Sequence, residues 1–414
     1  MMEKIPSGNV CGKMRAPSSK SMMQRAVAAA ALAKGKSIIR NPSFCEDALA
    51  ALGIARCLGA QVEMLEREVA IKGGNATSSG TLDCDESGLC MRMFCAISAA
   101  LDGEFTLVGK GTLGERQLGG IEAPIVALGA RCETQNGHAP VKISGKMKGG
   151  EVRMDGSKSS QLLSGLLMAL PLCEKNSLLH VESLKSRPYV RMTLQMLQEF
   201  GVEVGADATM ERFAIKGGQQ YKPASVEIEG DWSGASFMLV AGAIAGEVKV
   251  EGLAQKSLQA DRVIVDALKD AGATVLQEEN AITVAKASLR ALEFDATDCP
   301  DLFPPLVALA CSCKGRSVLR GAGRLKNKES DRAAALVKEF TAMGAKVGVQ
   351  GDEMRVEGGE LKGGSVQSHG DHRIAMACAV AALASNTDVQ IQDAQCVAKS
   401  YPNFFGDLEK LRVE

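Results

Sequence analysis

The chain is poor in aromatic side chains. Phe, Trp and Tyr make up 4% of its 414 residues, with one Trp and three Tyr. Large rigid anchors are therefore scarce, and Ala and 44 Gly take their place, which suits close packing of elements. Long apolar runs are missing too. The longest, Ile374 to Ala384, is roughly half the ~20 residues a bilayer-spanning helix needs. The opening "MMEKIPSGNV" lacks the apolar core of a secretion signal, so a cytoplasmic location and no membrane partner are expected. Neither sign of charge is in excess: 48 Lys and Arg face 49 Asp and Glu. Such a balance gives no global field for nucleic acid, which is not expected as a partner, and any anion site must be a local concentration of cations. The 13 cysteines form no C-x-x-C pair and read as reduced thiols packed as small apolar residues. With only four His and no Cys/His cluster, no metal site is expected.

What the sequence does have is repetition. "IARCLGAQVEMLEREVAIKGG" at 54–74 is echoed at 125–145, 194–218, 265–285 and 337–359. Each copy reads as an amphipathic helix ending at a glycine, then a strand, a polar turn and a second strand. The glycines are Gly59, Gly129, Gly201, Gly272 and Gly344, spaced by 70, 72, 71 and 72 residues. Glycine there suits a left-handed residue closing a helix.

A second series is interleaved with the first. It begins at Ser19, Glu86, Ser159, Asp231, Asp301 and Asp371, and continues each time with small apolar residues on every face. A helix apolar all round is buried all round, and Ser and Asp favour N-caps. The unit is thus buried helix, strand, surface helix, strand, strand, six times over. One unit cannot bury its own helix. Three units can enclose three parallel helices between sheets, so six predict an α/β fold of two such bodies.

The buried helices matter for chemistry because a helix start carries about half a positive charge and unpaired N–H groups. Polar residues crowd these starts: Lys20, Ser21 and Arg25; Glu86 to Gly88; Ser159, Ser160 and Gln161; Asp231 and Ser233; Asp301; and Asp371, His372 and Arg373. Capping explains the Ser and Asp residues. It does not explain Lys20, Arg25 and Arg373, whose charge opposes the helix dipole and favours an external anion. Arg116, the run "RLKNKESDR" (Arg324, Lys326, Lys328, Arg332 around Glu329 and Asp331) and Lys399 add cations of the kind that hold phosphate or carboxylate. Asp301 and Glu329 stand among them as candidate acid and base groups.

Taken together, "SKSMMQR" (19–25), "DGSKSSQ" (155–161), "SRPY" (186–189), "GDWSGAS" (230–236), "RLKNKESDR" (324–332), "DHRIAM" (371–376) and "AKSYPNFF" (398–405) resemble the 5-enolpyruvylshikimate-3-phosphate synthase family over nearly the whole chain. The resemblance implies a two-domain inside-out α/β barrel (a β/α prism) of six βαβαββ repeats. One domain would be 14–229, on the shikimate 3-phosphate side. The other would be 1–13 with 230–414, holding the catalytic carboxylates and the phosphoenolpyruvate clamp, with the active site in the cleft between them. It implies transfer of the enolpyruvyl group of phosphoenolpyruvate to the 5-hydroxyl of shikimate 3-phosphate, with release of phosphate and no metal or organic cofactor, by a protein that works as a monomer.

By the same resemblance, Lys20, Asp301 and Glu329 are the catalytic residues, with Asp301 taking the hydroxyl proton and Glu329 aiding proton transfer at carbon. Shikimate 3-phosphate would be held by Lys20, Ser21, Arg25, Ser159, Ser160, Gln161, Ser186, Asp301 and Lys328. Phosphoenolpyruvate would be held by Lys20, Gly88, Arg116, Gln161, Arg332, Arg373 and Lys399. The chain departs from the family where "NAGTAxR" is usual and "ESGLCMR" stands here, and Gln117 replaces a common Pro. A carboxylate at 86 near phosphoenolpyruvate repels it. Either Glu86 points away or it neutralises Arg116 or Arg92. Two other readings stay open: UDP-N-acetylglucosamine enolpyruvyl transferase, which typically has Lys-Asn where Lys20-Ser21 stands and a Cys that the 110–119 loop lacks, and a non-catalytic anion-binding protein on the same repeats.

Overall fold

Five surface helices end in one way. In the computed structural model, which describes residues 1–74, 77 and 79–413, the helices Glu46–Cys57, Glu122–Ala127, Arg187–Glu199, Ile264–Asp270 and Arg332–Ala342 are each followed by a glycine of positive φ. These are Gly59, Gly129, Gly201, Gly272 and Gly344, with φ between 71° and 106°. The next N–H then reaches back five residues: Ala60 to Ala55, Ala130 to Ile125, Val202 to Leu197, Ala273 to Leu268 and Ala345 to Phe340. That is the closing bond of a Schellman motif, and it turns the chain straight into the following hairpin.

The strands repeat as faithfully. In three sheets the order is first, second, fourth, third strand of one repeat, with the first pair parallel and the others antiparallel. Ser79–Asp83, Gly103–Val108, His138–Gly145 and Arg131–Gln135 form one such sheet. The parallel pair needs a crossover, and the buried helix Gly88–Ala100 provides it. In a fourth sheet the first strand, Ser225–Glu227, comes from far along the chain to lie beside Gly35–Arg40, and in a fifth Asn9–Arg15 lies beside Gly246–Glu251. In the sixth, Met2–Ile5 joins Val389–Gln392 from the other end of the sequence.

Contacts divide the chain into two units, Ser18–Ile228 and Met1–Pro17 with Glu229–Glu414. The first unit holds the buried helices Lys20–Leu32, Gly88–Ala100 and Gln161–Ala169. The second, split unit holds Trp232–Ala245, Phe303–Cys311 and His372–Ala382. Their interiors are Ala, Leu, Met, Val and Cys with essentially no exposure, as helices apolar on every side require.

Most of the expected caps form. Ser19, Ser87, Ser159, Asp231 and Asp371 each accept from a backbone N–H of the first turn. Two differ. Ser87, not Glu86, caps its helix. Asp301 sits in a 3-10 turn, Pro300–Leu302, ahead of its helix, and its oxygens turn to cations instead.

Candidate active site

Within Ser18–Ile228 the polar starts of the three buried helices touch. Gln24 Nε2 donates to Ser87 Oγ (2.6 Å), linking the first helix to the second, and Arg92 Nη1 donates to Gln161 Oε1 (3.1 Å), linking the second to the third. Arg25 links the first to the third. It donates to Thr193 Oγ1 (2.8 Å), the Ser21 carbonyl (2.8 Å), Ser164 Oγ and the Tyr189 carbonyl. All four partners are neutral. Burial pushes the guanidinium down to about 10, with Tyr189 opposing, so it is still cationic at neutral pH. A buried cation whose hydrogen-bond partners among the described residues are all neutral is poised to take an anion.

Lys20 is buried beside it in sequence and pairs with Asp47 Oδ2 at 2.9 Å. Ser160 and Ser186 are buried at the edges of the same region, and Ser186 holds a left-handed backbone (φ 57°) ahead of the Arg187–Glu199 helix. For a residue with a Cβ that conformation costs energy and is common at ligand-binding positions.

Gly88 is the first residue of its helix. A Cβ there would lie 3.1 Å from Arg92 Nη1 and 3.3 Å from Arg116 Nη1, so the absence of a side chain admits two guanidinium groups. Arg116 Nε and Nη1 are buried and bond to no described residue. Unsatisfied charged donors are costly unless something fills the place. Glu86 is turned to the neighbouring loop, where its Oε2 accepts from Thr112 N (3.2 Å) and Thr112 Oγ1 (2.9 Å).

In the split unit, residues from four separate stretches meet. Arg332 is fully buried. Its Nε and Nη2 bind Asp371 side-on (2.8 and 3.2 Å), its Nη1 binds Asp301 Oδ1 (2.8 Å), and its Nη2 also reaches Glu329. Burial opposes this charge, but Asp371, Glu329 and Asp301 outweigh it and raise the pKa further. Asp301 also faces Lys328 Nζ (3.3 Å) and Arg373 Nη2 (3.1 Å). Burial disfavours its ionisation, yet Arg373, Lys328 and Arg332 together hold the carboxyl well below the usual range. Burial lowers the Lys328 pKa, with Asp301 opposing.

Arg373 is positioned by three partners. Its Nη2 donates to Ser233 Oγ (2.7 Å) as well as to Asp301, and its Nη1 donates to His372 Nε2 (2.6 Å). A guanidinium only donates, so Nε2 must present its lone pair, and the His372 proton sits on Nδ1, 3.9 Å from Asp371 Oδ1. His372 thereby orients Arg373. The Arg373 Nε is buried without a partner among the described residues. Lys399 is buried with its Nζ 3.5 Å from the Gly370 carbonyl, at the start of the same helix.

Three acids in these clusters escaped the sequence reading as site members. Asp47 looks like an ordinary first-turn acid of a surface helix, Asp371 like a cap, and Asp261 like nothing in particular. Asp261 is 2% exposed. Burial, helped by the Asp301 charge, pushes it up to about 7, against Arg373 and a hydrogen bond from Ser233. No pattern in "SLQADRVIV" marks it; its neighbours come from other parts of the chain. Among the described residues no group of three or more His, Cys, Asp or Glu is arranged to hold a metal ion, and no helix is long and apolar enough to cross a membrane.

Comparison with known proteins gives a consistent result. The profile of EPSP synthase (3-phosphoshikimate 1-carboxyvinyltransferase) matches residues 5–408. A 3-phosphoshikimate 1-carboxyvinyltransferase of Methanocorpusculum labreanum is 38% identical over 416 residues, covering 99% of this chain and 98% of that one. One of Clostridium kluyveri is 39% identical over 407 residues, covering 97% and 95%. Among solved structures, EPSP synthase from Acinetobacter baumannii superposes with a TM-score of 0.84 at 27% identity, covering 99% and 98%.

Proposed function

The chain belongs to the EPSP synthase family, and from that footing we propose that it transfers the enolpyruvyl group of phosphoenolpyruvate to the 5-hydroxyl of shikimate 3-phosphate and releases phosphate. The observation that carries the reading is that Asp301, Lys328, Glu329, Arg332 and Arg373 gather in one buried cluster in a chain of this family.

The chemistry is an addition followed by an elimination. The 5-hydroxyl oxygen adds to C2 of phosphoenolpyruvate, loses its proton to a base, and C3 gains a proton to become a methyl group. The tetrahedral ketal then expels phosphate as C3 gives a proton back. Two substrates bearing phosphate and carboxylate groups call for many cations. Arg25, Ser21, Ser159, Ser160, Ser186 and Lys328 are the proposed holders of shikimate 3-phosphate. Arg116, Arg332, Arg373, Lys399 and Gly88 are proposed for phosphoenolpyruvate, with Lys20 and Gln161 serving both. Holding the reactants in register supplies much of the rate enhancement such sites achieve.

Asp301 is the proposed base. Clamped by three cations it is a weak one. An anion that takes Arg373 Nη2 competes with Asp301 Oδ2 for that donor, and each cation drawn away raises the carboxylate's basicity. Substrate binding would in this way switch the base on. Glu329, tied to Arg332, is proposed to exchange the proton at C3. The same reading has the protein act as a monomer in the cytoplasm, and sedimentation at assay concentration checks the first part.

The test is phosphate release from phosphoenolpyruvate with shikimate 3-phosphate, run beside UDP-N-acetylglucosamine as acceptor. Turnover with the former alone is expected; none with it sinks the proposal. Arg373→Ala should raise KM for phosphoenolpyruvate much more than KM for shikimate 3-phosphate, and an equal rise in both would make the arginine structural.

A further inference from the structure

We propose that Glu86 is a positioning residue, which fastens the 110–116 segment to the start of the Gly88–Ala100 helix and so sets where the Arg116 guanidinium stands. The catalytic consequence rests on the reading of Arg116 as a phosphoenolpyruvate ligand; the anchoring itself does not.

Three observations carry it. First, the Glu86 carboxylate accepts from both the backbone N–H and the hydroxyl of Thr112. Thr112 opens the short helical turn Thr112–Glu115, and an acid suits the unpaired N–H of such a turn. Second, the segment is shaped to receive that carboxylate. Gly111 adopts φ 52°, ψ −135°, a conformation open only to glycine. A Cβ at Gly111 would lie 2.4 Å from Glu86 Cδ. The space a side chain would take is the space the carboxylate uses.

Third, the far end of the segment is fastened to the same helix. Arg92, one turn beyond Gly88, donates from Nε to the Leu118 carbonyl (3.1 Å) and from Nη2 to the Gln117 carbonyl (2.9 Å). Arg116 lies between the two anchors, and its own Nε and Nη1 bond to no described residue. Its place is therefore dictated by the backbone that carries it. An acid two residues before Gly88 would in isolation weaken an anion site. Engaged with Thr112, it organises the site's cation instead.

The experiment compares Glu86→Ala, Glu86→Gln, Gly111→Ala and Arg116→Ala in the full chain, singly and with Glu86→Ala combined with Arg116→Ala. Glu86→Ala should speed hydrogen exchange of the peptide spanning 109–118 and raise KM for phosphoenolpyruvate about tenfold, the scale of a lost charge-assisted hydrogen bond. KM for shikimate 3-phosphate should hold. Glu86→Gln keeps an acceptor oxygen for Thr112 and should recover most of the loss, while Gly111→Ala should reproduce it. Acting through Arg116, Glu86→Ala should add nothing further once Arg116 is Ala. Unchanged exchange at 109–118, or a full additional loss in the double variant, overturns the proposal. Faster exchange with Arg116→Ala leaving the phosphoenolpyruvate KM untouched retains the anchor and instead removes Arg116 from the substrate clamp.

Discussion

Asp301 illustrates how charge placement decides reactivity. A carboxylate held by Arg332, Lys328 and Arg373 is ionised at any physiological pH and weakly basic. Asp301→Asn keeps the shape and removes the proposed base. It should lower kcat by roughly 100-fold or more, as loss of a general base does, with little change in shikimate 3-phosphate binding measured by calorimetry. A change confined to KM would remove Asp301 from the base role.

Asp261 behaves oppositely. Its carboxyl is raised to about 7 in the fold by burial and by Asp301, above the ~3.9 of an unfolded Asp. Between those values the folded state binds more protons than the unfolded state, so Asp261 costs stability as pH rises, and the cost levels off above about 7. The charged groups that bear on it are Asp301, Arg373 and Asp231, with Ser233 as hydrogen-bond partner. The Tm advantage of Asp261→Asn over the natural chain should therefore grow from pH 5 to pH 7 and then flatten. A constant difference would contradict the raised value. Asp301, whose pKa is depressed, contributes stability that is present at neutral pH and lost only in acid.

At the scale of elements, the five Schellman closures are the most legible feature of the chain. Their glycines recur at nearly equal spacing, and helix ends obey local rules. Gly129 isolates that contribution: a Cβ there meets nothing closer than 3.7 Å, but φ is 106°. Gly129→Ala should thus lose about 1 kcal/mol through backbone strain alone, read from the urea midpoint at unchanged m-value. A loss within error would mean that the backbone relaxes there. The buried helices were equally legible because no amphipathic pattern interrupts them. Their exact caps were less so. Glu86 and Ser87 are adjacent, and only the chain path decides that Ser87 caps while Glu86 reaches Thr112. Asp301 makes no cap bond: Pro304 and Pro305 have no N–H to offer, and its oxygens meet three cations instead.

At the scale of the molecule, the two units differ in how the chain completes them. Every strand of the three four-stranded sheets in Ser18–Ile228 comes from within that span, Ser225–Glu227 included. The other unit needs Met2–Ile5 and Asn9–Arg15, which pair with Val389–Gln392 and Gly246–Glu251. A fragment of residues 18–228 should therefore unfold cooperatively on its own, whereas 229–414 should not until residues 1–17 are supplied. Circular dichroism melts of both fragments check this. A cooperative melt of 229–414 alone would show that the N-terminal strands are dispensable.

Periodicity, helix ends and the inventory of charged residues are properties of neighbours along the chain, and the sequence alone determined them: six repeats, buried helices, five glycine closures, and the cations and carboxylates of the proposed site. The pairing of those charges is another matter. Arg332 meets Asp371, 39 positions away, and Arg373 meets Ser233, 140 away. Lys20 meets Asp47, and Asp261 feels Asp301 and Arg373. Electrostatic energy depends on distance through space and on exclusion of water, and both are decided only when distant repeats close around their buried helices.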